Sequence, residues 1–121
     1  SDEEGQAGRL CRTLRSLHHI QRAAVLFARA AERWNEAASL WYRCAQLVRE
    51  AAEASTAEGV RPSDVRLEVQ RAFQSSALGQ AGTAVEEAAR FNGYAQRGYA
   101  CLVRCYDRVT ERIKVLDEPT S

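Results

Sequence analysis

A chain of 121 residues, 45% hydrophobic and 27% charged, with a net charge of +1, is sized for one globular domain and is not charged enough to be drawn as a whole to nucleic acid or membrane. No apolar run approaches the ~18 residues of a membrane span. The four cysteines need not be disulfides at this length, so a reducing compartment is expected, cytoplasmic with the nucleus also open.

Alanine, leucine, glutamate and arginine dominate, β-branched residues are sparse and only two prolines occur, which is a helical composition. The expected fold is all-α: an antiparallel bundle of three to four helices over about 5–33, 35–54, 64–91 and 94–116, in one domain spanning 5–116. Short tails are expected at 1–4 and 117–121. Ser1-Asp2-Glu3-Glu4 does not read as a signal peptide, and the charged ends are expected of a piece of a longer protein.

The first two helices share a stripe of apolar and small residues. Leu10, Leu14, Leu17, Ala24, Ala28, Ala31, Trp34, Ala38, Trp41, Ala45, Val48 and Ala52 recur three or four residues apart, except for the wider step from Leu17 to Ala24, and therefore line one side of a helix. Small residues let helices approach closely, while Trp34 and Trp41 supply bulk two turns apart. Trp34 is expected to be structural. A single helix from Gly5 to Ala54 would be roughly 75 Å long at ~1.5 Å per residue, too long for a small domain, so a turn is expected around Arg33 to Glu36. Asn35 would cap the next helix, with Glu36 placing a carboxylate in its first turn.

Ser55 to Ser63 combines cap residues, Gly59 and Pro62, and marks a sharp boundary, with Ser63 capping a helix that starts at Asp64. Val65, Val69, Ala72, Phe73, Ser76, Ala77, Ala81, Ala84, Val85, Ala88 and Phe91 continue the helical pattern. Gly79 and Gly82 weaken it, and a kink there is consistent with the cost of glycine in a helix. Gly93 predicts a turn before a last helix whose apolar side holds Ala95, Tyr99, Leu102, Tyr106, Val109, Ile113 and Leu116. Ala31, Arg33, Trp34, Asn35, Ala38 and Cys44 are echoed 57 residues later by Ala88, Arg90, Phe91, Asn92, Ala95 and Cys101, as two related hairpins would require.

The segment Trp34-Asn35-Glu36-Ala37-Ala38-Ser39-Leu40-Trp41-Tyr42-Arg43-Cys44-Ala45-Gln46-Leu47 resembles the second helix of a TPR or MIT hairpin, in which Trp34, Ala37, Trp41 and Cys44 would hold the alternating large and small places. Ala24 to Ala31 resembles the first helix, although Val25 stands where a TPR prefers glycine. No 34-residue repeat follows, which favours the MIT type. Leu40 to Leu47, with Val60-Arg61-Pro62-Ser63, Val65, Val69, Arg71 and Phe73, is similar to the tandem MIT region at the C-terminus of autophagy-initiating kinases, over about a third of the chain. The resemblance implies a non-catalytic scaffold module that binds short motifs of partner proteins in grooves between helices, within autophagy or membrane-trafficking machinery.

Candidate partner-binding residues are Phe27, Arg29, Trp41, Tyr42, Arg43, Tyr99 and Arg104, which are large or forked and border the stripes. A groove beside them would take an amphipathic peptide on apolar anchors, with arginines reading acidic side chains. From Gly5 to Asn35 six arginines face only Glu32, a local excess near +5; Arg15, Arg22 and Arg29 repeat every seven residues, as a solvated outer face also would. That basic helix, with Tyr94, Tyr99 and Tyr106 near Arg97 and Arg104, is the ground for a second reading, nucleic-acid binding, which the balanced total charge disfavours. Self-association into a homodimer through the stripe is a third.

Chemistry of its own is not expected. The only histidines, His18 and His19, are adjacent, so at most one would face the core. No glycine-rich elbow or phosphate loop occurs to support an enzyme, and no cofactor is implied. Cys101 and Cys105 are one turn apart, a spacing open to a metal, but cysteine on an apolar helix face is ordinarily a small packing residue, and no metal is expected.

Overall fold

The structure, a computed structural model, describes residues 2–117, apart from the side chain of Leu116. Two α-helices make up almost all of it: α1, Asp2–Ala57, and α2, Asp64–Asp117. The all-helical expectation holds, and the division into three or four helices is corrected. No turn interrupts Arg33 to Glu36, and α2 runs through Phe91 to Tyr94 without a break. The predicted start at Gly5 moves to Asp2, and Asp117, assigned to a tail, is the last residue of α2. The remaining tail residues, Ser1 and 118–121, lie outside the described residues, as does the side chain of Leu116.

Local chemistry accounts for the continuity. Neither glycine nor proline occurs between Arg12 and Glu58, and a central asparagine costs a helix less than ~1 kcal/mol relative to alanine, too little to stop it against favourable packing. The inner-face pattern also stays in phase. Leu10, Leu17, Ala24, Ala31, Ala38, Ala45 and Ala52 are seven apart, and all are buried or half-buried. In α2 two such columns interleave, Leu67, Gln74, Ala81, Ala88, Ala95, Leu102 and Val109 with Gln70, Ala77, Ala84, Phe91, Gly98 and Cys105, and every member is again buried or half-buried. A repeat of seven with two inner positions is the pattern of helices packed side by side along their length. The echo between Ala31–Cys44 and Ala88–Cys101 therefore lies inside two helices and straddles no turn; Ala31, Ala38, Ala88 and Ala95 all serve inner columns.

The connection behaves as its residues predict. Val60 N–H donates to the Ser55 carbonyl at 3.0 Å and Gly59 N–H to the Thr56 carbonyl at 3.0 Å, closing α1 in a Schellman motif with Gly59 at φ 77°. Ser63 caps α2, its Oγ accepting from Arg66 N–H at 3.2 Å. Gly79 and Gly82 are helical.

Two compact units divide the chain, one formed by residues up to Arg29 and from Phe91 onward, the other by Ala30–Arg90. In the first, Ala24, Ala95 and Val109 are buried. The α1 and α2 segments approach so closely that a Cβ on Gly98 would lie 2.9 Å from the Ala24 Cβ. Phe27 packs between Phe91 and Tyr94, with ring centroids 6.0 and 5.3 Å away. The second unit is a hairpin whose buried residues are all alanines: Ala31, Ala38, Ala45, Ala77, Ala81, Ala84 and Ala88. Among the described residues no large side chain is fully buried.

Candidate functional site

An alanine seam brings two backbones together but covers little apolar surface, because each methyl contributes only on the order of 1 kcal/mol. Many of the larger side chains flank the seam and remain partly in solvent. In the Ala30–Arg90 unit, Trp34 and Trp41 follow the inner residues Ala31 and Ala38 by three positions and are each 38% exposed. Trp34 is thus a flanking residue, and the expectation that it lies in the core is corrected: the inner places beside it are already filled by alanine.

Counting ~100° per residue, Trp34, Ala37, Leu40, Trp41, Cys44, Leu47 and Val48 share an arc of roughly a third of the α1 circumference, next to the seam. Leu40 is 68% and Leu47 47% exposed, while Ala37, Cys44 and Val48 are half-buried. Between Trp34 and Val48 no charged residue falls within this arc; Glu36 and Arg43 border it, and Arg33, seven residues before Leu40, stands at its N-terminal end. A helix that faces one neighbour needs only its inner columns to be apolar, so packing in the hairpin does not require this second apolar arc.

The seven predicted contact residues divide between the two units. Trp41, Tyr42 and Arg43 belong to the Ala30–Arg90 unit and, being consecutive, point about 100° apart. Tyr42 is 49% exposed, and Arg43 pairs with Glu50 at 3.7 Å in an exposed contact. Phe27, Arg29, Tyr99 and Arg104 belong to the other unit. Phe27 is half-buried in its aromatic cluster, whereas Arg29, Tyr99 and Arg104 are exposed. Tyr94 carries the Arg97 guanidinium 5.8 Å above its ring centroid. Leu40 and Leu47 escaped the sequence reading, although they stand seven residues apart and in step with Trp34 and Trp41.

Two open depressions border the seam, one per unit. Near the connection, Val48, Ala52, Leu67, Gln70 and Gln74 line the first; Leu10, Arg9, Arg108, Arg112 and Val115 line the second. His18 and His19 are both exposed, ring centroids 6.0 Å apart, so neither faces inward. The Cys101 and Cys105 thiols are 3.9 Å apart. That contact, with burial second, raises the Cys105 pKa above its ordinary value against the pull of Arg108 and Arg104. A raised pKa lowers the thiolate fraction, the form that acts as nucleophile. Among the described residues no group of three or more histidine, cysteine or carboxylate side chains gathers as a ligand set, and no helix is long and apolar enough to cross a membrane. Comparison with protein-family models, with curated proteins and with solved structures returned no match.

Proposed function

We propose that the chain is a non-catalytic protein-interaction module that receives an amphipathic helix of a protein partner on the apolar arc beside its alanine seam. The observation that carries this reading is the exposure of Trp34, Leu40, Trp41 and Leu47 on one arc of α1 that holds no charge between Trp34 and Val48. Aromatic and aliphatic side chains of this kind supply most of the binding energy where helices dock in grooves. Arg43 at the border of the arc would read carboxylates on the partner. An MIT-like role in autophagy or membrane trafficking is the finer form of the proposal and rests on the resemblance of Trp34 to Leu47.

Affinity capture from a cell lysate, repeated with Trp41→Ala and Arg43→Glu, tests the reading. Recovery of one protein that both substitutions abolish is the expected result. Recovery of nucleic acid with a salt-steep binding curve would replace the module with a nucleic-acid-binding domain.

A further inference from the structure

We infer that the occupant of the Trp34–Val48 arc is the same arc of a second copy of the chain, laid antiparallel across a two-fold axis near Leu40 and Trp41. The inference rests on the interaction reading above and names its partner.

The order of large and small residues along the arc is the first ground. From Trp34 to Leu47, large side chains stand at Trp34, at Leu40 and Trp41, and at Leu47, with small ones at Ala37 and Cys44 between them. Read in reverse, that order of sizes is the same, and outside it the pairing sets Val48 against Arg33 of the second copy. Antiparallel pairing about the centre sets Trp34 against Leu47 of the second copy, Ala37 against its Cys44, and Leu40 against its Trp41. An isologous contact must be complementary to itself in this way, and a heterologous partner imposes no such symmetry.

Charge is the second ground. Glu36 and Arg43 border the arc on the same side and straddle nearly the same centre. Reversal across the two-fold axis therefore brings Glu36 of each copy toward Arg43 of the other, giving two opposite-charge contacts at the rim. Among the described residues Arg43 pairs with Glu50 at 3.7 Å in an exposed contact, which costs little to exchange.

Exposure is the third. Leu40 is 68% exposed, Leu47 47%, and Trp34 and Trp41 38% each, so the arc is apolar surface that packing within its own unit leaves in contact with solvent. Burying the arc in a dimer would give the tryptophans the apolar environment that an alanine seam cannot.

Sedimentation equilibrium of the 121-residue chain from low to high micromolar concentration should show a species of twice its 13.5 kDa mass. Leu40→Glu places a charge at the dimer centre on a side chain already 68% exposed, so the helical circular dichroism should persist while Kd rises at least about tenfold. Arg43→Glu should weaken the dimer, and adding Glu36→Arg should restore it. A chain that stays monomeric throughout, a dimer indifferent to Leu40→Glu, or a double variant that regains nothing would overturn the inference. A monomer that still captures a protein partner, and loses it with Trp41→Ala, would overturn the second copy and leave the interaction module standing. A monomer that captures nothing would remove both.

Discussion

Gly98 shows how little room separates the helices. A methyl there would meet the Ala24 Cβ at 2.9 Å, and neither group has a torsion by which to move aside. Gly98→Ala is therefore expected to destabilise the fold by about 1–3 kcal/mol in urea titration, despite the better helix propensity of alanine. Gly93→Ala meets nothing within 4 Å and should instead add up to ~1 kcal/mol. The opposite signs of two chemically identical changes measure helix approach directly. At Cys105, the neighbouring Cys101 thiol keeps the proton on, so less thiolate exists at any pH below the midpoint. Its alkylation by iodoacetamide should rise with pH later than that of an ordinary thiol, and Cys101→Ala should move the midpoint down. The inner-column alanines were legible from spacing alone, but the role of Trp34 was not. A tryptophan three residues from an alanine column fits either an inner or a flanking place, and only the size of the opposing residues decides between them.

Continuity is the main property of α1 as an element. With the helix unbroken through Asn35, Asn35→Pro removes a backbone donor and clashes with the preceding turn, at a cost of roughly 3 kcal/mol. A turn at that point would tolerate the same change, so the fall in thermal midpoint distinguishes the two. The connection is sensitive in another way: Gly59 occupies φ 77°, and Gly59→Ala should cost about 1–2 kcal/mol without altering either helix. Both helix ends at the connection were readable because capping is local chemistry, with Gly59 ending α1 and Ser63 starting α2. The two additional breaks expected near Asn35 and Gly93 were inferred from length and from a single glycine. Neither is a stop signal when the inner columns continue in phase on both sides.

Across the whole chain, accessible area dominates. Most large apolar side chains flank the alanine seam and stay wet, so stability should depend on protein concentration if a second copy covers them. The thermal midpoint of the wild-type chain should rise with concentration, and that of Leu40→Glu should not. Composition and the repeat of seven were sufficient to specify an all-helical fold with an alanine-lined inner face and a capped connection, because propensity, capping and periodicity act within a few residues. How many helices form, and which large residues remain outside, depends on what each inner column meets across the seam. In the Ala30–Arg90 unit alanines fill the buried places on their own, so Trp34, expected to be structural, lies beside them and is 38% exposed.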